Sequence, residues 1–194
     1  MSRVIACLIA ALPLAAAAAP ESYTIDPIHS FPYFSVDHLG FATIMGRFNT
    51  RAGKFTLDAP AKKAGGELTI EAASIDTADN DRGSRTRARD EHLRSADFFN
   101  VTEFPRVTYK ATDVKFGGDN PVEISGQLTL LGITKPVTLK IDRWRCGPHP
   151  FSKKEMCAGN FSGSLKRTDF GMKFGVPAIG DEIRLMLGFE AYKD

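Results

Sequence analysis

The chain has 194 residues, a length that fits one domain, and 43% of its side chains are hydrophobic, which excludes disorder as its main state. With 25 Lys+Arg against 23 Asp+Glu the formal net charge is +2, too small a basic excess for a dedicated nucleic-acid binder. Fourteen Phe against four Tyr and one Trp form a large stock of apolar area without a polar tip, suited to a core or to a ligand.

Met1-Ser2-Arg3 followed by an apolar, Ala-rich run from Val4 to Ala19 reads as a secretory signal peptide over residues 1–18. Cleavage is expected after Ala18, at the Ala16-Ala17-Ala18 site, leaving a single mature domain over 19–194 in the periplasm or outside the cell. The run is shorter than the roughly 20 apolar residues that span a bilayer, and no later segment approaches that length, so no transmembrane span is expected. Cys7 precedes most of the run and is poorly placed as a lipoprotein cysteine. Cys146 and Cys157 then remain as a pair in an oxidising compartment, where a disulfide is the default and contributes about 3 kcal/mol for so short a loop. Metal binding by this pair with His149 is the weaker alternative, because ten intervening residues lack the close spacing of a zinc site.

Beyond residue 20 the dominant period is two, the mark of strands with one buried and one wet face. Strands are expected over residues 23–36, 44–57 and 106–116, and where Leu68, Ile70 and Ala72 alternate with polar neighbours. The same alternation recurs at Val122 to Leu130, Val137 to Ile141, Phe161 to Leu165 and Ile183 to Phe189. Gly65-Gly66, Gly117-Gly118-Asp119-Asn120-Pro121 and Gly132 to Pro136 supply turns. About eight strands joined by short turns pair antiparallel and form a sandwich or close into a barrel; a barrel removes their edges and leaves room for one small ligand. The expected fold class is the second of these, an all-β, eight-stranded antiparallel barrel with one or two short helices. Asp81 to Ala96 departs from the strand pattern, with Ala88, His92, Leu93 and Ala96 at helical spacing, and reads as a helix packed on or plugging the barrel. Asp37 to Phe41 has room for a short helical turn ended by Gly40.

The chain lacks H-E-x-x-H, G-x-S-x-G, a Walker loop and a dinucleotide fingerprint. His29 and His38 are an odd number of residues apart, and His29 and Ser30 are adjacent, so on a regular strand neither pair converges on one site. Between Asp79 and Asp97 five Arg face five acids, which fits a solvated, ion-paired segment; the sharper alternative has Arg85 and Arg89 hold an anionic head group.

Four ordered motifs carry a family resemblance across nearly the whole mature length. They are Tyr23-Thr24-Ile25-Asp26-Pro27-Ile28-His29-Ser30 with His38-Leu39-Gly40 and Gly46-Arg47-Phe48; Ser74-Ile75-Asp76-Thr77 with Arg89 to Ser95, Asp97-Phe98-Phe99 and Phe104-Pro105; Gly126 to Val137; and Arg167 to Gly171 with Gly180-Asp181. The chain resembles the YceI-like family of secreted polyisoprenoid-binding proteins. That resemblance implies a lipocalin-like barrel whose elongated pore holds a long apolar lipid, such as an isoprenoid quinone or a polyprenyl phosphate. It implies a non-enzymatic binding protein with no cofactor beyond the lipid. The candidate pore residues are Phe34, Val36, Phe41, Phe48, Phe98, Phe99, Phe104, Phe170, Met172 and Phe174, with His38 and Arg89 as polar head contacts. Two alternatives belong to other classes: an exported protein-interaction module, and a lipid-modifying enzyme using Asp26, His29 or His38. An exposed strand edge or Phe151 would support a homodimer.

Overall fold

In the computed structural model, which describes residues 19–194, the alternating segments form eleven strands in one antiparallel sheet. The signal-peptide segment, residues 1–18, lies outside the described residues. The strands are β1 (Glu21–Ile25), β2 (Phe31–His38), β3 (Ala42–Phe48), β4 (Arg51–Asp58), β5 (Lys63–Glu71), β6 (Ile75–Asp76), β7 (Arg106–Gly117), β8 (Asn120–Leu130), β9 (Ile133–Pro148), β10 (Glu155–Lys166) and β11 (Ile179–Lys193). One helix, α1 (Arg89–Arg94), joins them.

Eleven strands make eight rows, because the first three rows are each broken in two. β11 pairs with β1 through its C-terminal end, Ala191 to Lys193, and with β2 through Ile179 to Gly188. β4 continues the row of β3, and β6 the row of β5. The remaining ladders run β5 to β7, β8, β9, β10 and β11, and the pairing of β11 with the first row closes the barrel. The expected eight-stranded antiparallel barrel is thus the architecture.

The expected continuous strands over 23–36 and 44–57 are the ones that break. Pro27 cannot donate to a ladder, and around it side chains take over main-chain partners. The Asp26 carboxylate accepts the Ile28 N–H at 2.8 Å, and the Ser30 hydroxyl both donates to the Glu190 carbonyl and accepts the Glu190 N–H at 3.0 Å. At the second break Asn49 N–H reaches the Ser74 carbonyl and Thr50 N–H the Ser74 hydroxyl. The buried Arg51 guanidinium bridges the two bends, donating to the Pro27 and Asn49 carbonyls and lying 3.8 Å over the Phe31 ring.

The helix expected over Asp81 to Ala96 shortens to Arg89–Arg94. Its first half is held in turns instead. Gly83 sits at φ +53°, the Asp81 carboxylate accepts the Gly83 N–H at 2.9 Å, and Arg85 forks onto Asp79 at 2.6 and 2.7 Å. The buried Asp90 carboxylate pins the segment by accepting from the Thr77 N–H and hydroxyl, and Arg94 donates to the Ala73 and Ile75 carbonyls. Residues 37–41 form no helical turn. They are the tight β2–β3 connection, with Leu39 and Gly40 at φ +63° and +70° and the Asp37 carboxylate accepting the Gly40 N–H.

Two buried clusters line the barrel. One, at the α1 end, holds Phe48, Ile75, Phe98, Leu128, Val137 and Met172; the other, at the opposite end, holds Tyr23, Leu57, Ile141, Phe161 and Phe189. Cys146 and Cys157 face each other across β9 and β10 and are disulfide-bonded, so the expected bridge is present. Among the described residues no helix is long and apolar enough to cross a membrane.

Candidate functional site: an apolar lumen

The inward faces of the strands leave a cavity of about 400 Å3 inside the barrel. It runs from Phe55, Trp144 and Phe189 at the disulfide end, past Leu68, Tyr109, Leu128, Leu139 and Leu185, to Phe34, Phe48 and Phe98 under α1. Alternation explains the lining: Leu185, Leu187 and Phe189 on β11, and Val137, Leu139 and Ile141 on β9, share one face of their strands. Two close approaches shape it. A Cβ at Gly46 would stand 2.4 Å from the Phe34 ring, so glycine lets that ring lie flat on β3. A Cβ at Gly126 would stand 2.5 Å from both the Tyr109 ring and the Lys110 carbonyl, so glycine admits Tyr109 across the ladder.

Two polar groups of the lumen, on Tyr109 and Arg167, are turned into its wall. The Tyr109 hydroxyl donates to the Val137 carbonyl at 3.0 Å, and burial pushes its pKa up to about 12. The Arg167 guanidinium, 2% exposed, donates to the carbonyls of Gly180, Met172 and Ile179 at 2.8, 3.1 and 2.9 Å. Burial lowers its pKa and Asp181 offsets part of that shift; the group stays cationic. What faces the cavity is then chiefly hydrocarbon, an environment that favours a long apolar guest over water.

Eight of the sequence-derived pore residues reach this wall: Phe34, Val36, His38, Phe48, Arg89, Phe98, Phe99 and Met172. The other four do not. Phe41 is 95% exposed at the β2–β3 turn, because the tight turn points its ring into solvent. Phe170, only 1% exposed, is packed into the core around a short 3-10 turn, and with Phe104 it borders a shallow depression outside the lumen. Phe174 is not on the wall; it packs edge-on against His92 and tilted against Phe98, at centroid distances of 5.0 and 5.3 Å. His92 lines the lumen, and its Nε2 lies 2.8 Å from Asp97, whose pKa is lowered by Arg87 and His92. Arg85 and Arg89 both contact Asp79, at 2.6 and 3.0 Å, so a carboxylate of the chain already stands between them.

Sequence reasoning passed over Phe55, Trp144, Phe161, Leu185 and Phe189, all on the cavity wall. The signal for the β10 and β11 members was the inward parity of their own alternation.

Outside the barrel, Asp26, His29 and Glu190 bring three ligand atoms within 4.8 Å of one another. The His29 Nδ1–H donates to Asp26 at 2.7 Å, and Glu190 lies 3.8 Å from the same nitrogen, so the group works as an ion pair that fastens the β1–β2 bend. Burial raises the Asp26 pKa, but the Ile28 N–H and His29 outweigh it and leave a net lowering; the Asp26 hydrogen bond raises His29 above its usual 6.5. A raised histidine pKa stabilises fully below the unfolded value and fades as pH climbs through the folded one. A lowered carboxylate pKa stabilises above its unfolded value and fades in acid. His29→Gln should therefore lower the melting temperature most between about pH 5 and 6.5 and hardly at all by roughly pH 9. A difference that grows with pH in thermal melts would contradict this pairing.

Eight antiparallel rows around an apolar lumen define a lipocalin-like binding barrel. The YceI-like domain profile matches residues 23–191, and the chain belongs to that family. It is 38% identical over 188 residues to the UPF0312 protein PA0423 of Pseudomonas aeruginosa PAO1, covering 94% of this chain and 93% of that one. It is 37% identical over 180 residues to Protein YceI of Shigella flexneri, covering 91% and 89%. Among solved structures, Burkholderia cenocepacia BcnA superposes with a TM-score of 0.65 at 19% identity, covering 86% of this chain and 98% of that one. A polyisoprenoid binding domain from Saccharophagus degradans superposes with a TM-score of 0.64 at 16% identity, covering 90% and 99%. These structural likenesses bear on the fold.

Proposed function

We propose that the protein is a non-enzymatic carrier or store of one long apolar lipid, held in the lumen, and that it works in the periplasm. The carrying observation is the predominantly hydrocarbon lining of a cavity of about 400 Å3 in which two buried polar groups, on Tyr109 and Arg167, are bonded to main-chain carbonyls. A prenyl chain has few or no hydrogen-bonding atoms and asks for such a lining. At about 0.8 kcal/mol per buried CH2-sized unit, ten units contribute roughly 8 kcal/mol before ordering costs. Micromolar affinity needs about that much.

A polyisoprenoid, either an isoprenoid quinone or a polyprenyl phosphate, is the ligand class the family membership and the polyisoprenoid binding domain of Saccharophagus degradans favour. Its polar end belongs near His38, Arg89 and His92, half-buried groups at the α1 end of the lumen. Binding without turnover is supported by the place of the other candidate groups: Asp26 and His29 pair outside the barrel, and Ser30 is engaged by the Glu190 main chain. No cofactor is needed. The Ala-rich leader and the disulfide support an exported, oxidising location.

The test is native mass spectrometry of protein exported by its own leader, followed by solvent extraction. A prenyl lipid near one per chain is expected. A fatty acid in its place would keep the binding barrel and reject the isoprenoid. An empty protein that also fails to take up added ubiquinone would overturn the reading.

A further inference from the structure

We infer that the β9–β10 hairpin is a docking surface for an anionic lipid bilayer, with Phe151 seated among the head groups. The two strands run on to Pro148 and Glu155 and are stapled by the Cys146–Cys157 bridge. The tip beyond the bridge is ordered by its own hydrogen bonds. His149 N–H donates to the Lys154 carbonyl at 2.8 Å, and the His149 Nδ1 accepts the N–H groups of Phe151 and Ser152 at 3.2 and 3.1 Å. This stiff tip holds Phe151 outward, 90% exposed.

Charge is concentrated on the same element. Arg143, Arg145, Lys153 and Lys154 are exposed and, among the described residues, none of them is in an ion pair. Residues 143–155 carry these four cations against one carboxylate, Glu155, a net of +3 where the whole chain carries +2. Arg143 and Arg145 lie on β9, and Lys153 and Lys154 in the tip before β10, so the cations are strung along the hairpin and its tip. That distribution matches a diffuse sheet of negative charge, and long lysine stems beside one aromatic ring are the pattern of an interfacial anchor.

The position gives docking a purpose, and here the inference rests on the lipid-binding reading. Trp144, between Arg143 and Arg145, lines the lumen. At this end of the barrel the β5–β7 ladder stops at Glu67 opposite Lys110, while Lys63 to Gly66 pair with β4 and Ala111 to Gly117 pair with β8. The wall is thus unzipped between Ala64–Gly66 and Ala111–Val114, all of which border the cavity except the exposed Thr112 and Asp113. A bilayer against the hairpin lies at the end where the lumen wall is open.

The experiment is flotation with vesicles of phosphatidylethanolamine and phosphatidylglycerol, compared with vesicles of phosphatidylcholine alone. Wild type should float with the anionic vesicles only, less so as salt is raised. The double variant Lys153→Glu/Lys154→Glu should reduce the bound fraction at least about ten-fold, and Phe151→Ser several-fold. Equal flotation of wild type with both vesicle types, or variants that float like wild type, would overturn the inference. So would concentration-dependent self-association or capture of an acidic protein through Phe151 in place of vesicle binding. Lipid extracted from the same preparations separates the two readings. Tip variants should keep the wild-type lipid content, whereas an empty lumen in a wild type that still floats strikes the proposed cargo and leaves the docking surface standing.

Discussion

Phe34→Glu is expected to cut the lipid recovered per chain by at least about ten-fold, while Phe34→Leu stays near the wild-type level. Phe34 lies on the cavity wall, its ring 5.9 Å from that of Phe48 and fitted against Gly46. A carboxylate there is set among the Phe48, Phe98 and Leu185 side chains, and the cations on the cavity wall are already engaged, Arg89 by Asp79 and Arg167 by main-chain carbonyls. It must keep water in the lumen or take up a proton, and either choice costs several kcal/mol when an apolar chain is to share the space. Each 1.4 kcal/mol is about a factor of ten in Kd, so even a partial penalty empties the site during purification. Phe41→Glu is the matched control: Phe41 stands in solvent, and a charge there should leave lipid content unchanged. Extraction and mass spectrometry, with circular dichroism to confirm the fold, read all three. A folded Phe34→Glu protein that retains its full lipid would sink the assignment of the lumen.

That Phe34 and Phe41 part company illustrates what period-two reading can and cannot reach. Along β8 to β11 the ladders are long and nearly uninterrupted, so parity decides which side chains face inward, and the alternation in the residues is the alternation in space. Rows one to three obey a different control. Asp26, Ser30 and Ser74 bond main-chain groups that a ladder would otherwise use, and each such substitution resets parity, so Tyr23 to Val36 cannot be counted as one strand. The helix expected over Asp81 to Ala96 is cut short for a related reason. Arginine and alanine content favours a helix, but Gly83 and the carboxylates of Asp79 and Asp81 hold its first half in turns, and only six residues remain helical. Phenylalanine count pointed to an apolar interior without saying which rings build it. Phe41 sits at a turn where backbone geometry overrides hydrophobicity, and Phe170 sits in a 3-10 turn whose packing is outside the lumen. Trp144 and Phe55 carry no motif, and only their place across the β4 and β9 faces brings them within 6.0 Å of each other at the disulfide end.

Arg167→Met is expected to cost about 3–5 kcal/mol, or roughly 10 °C in melting temperature for a domain of this size. The residue is a buried cation whose charge is answered by carbonyl dipoles and, at longer range, by Asp181. Methionine matches its apolar stem and fills much of its volume. It leaves the carbonyls of Gly180, Met172 and Ile179 without donors in a place water reaches poorly. Thr168 and Asp181 still tie the same loop together, with the carboxylate accepting the Thr168 N–H and hydroxyl at 3.0 and 2.9 Å. The loop therefore loosens without detaching. Arg167→Lys should fall between, since an ammonium on a shorter stem cannot reproduce the planar fork. Met172 and Ile179 both line the cavity, so loosening them enlarges the α1 end of the lumen, and bound lipid should leave faster in Arg167→Met than in wild type. Thermal melts and timed lipid transfer to acceptor vesicles measure the two effects. A variant that melts within a degree or two of wild type would mean that the three carbonyls find other donors, and that the guanidinium is not what holds this end of the barrel.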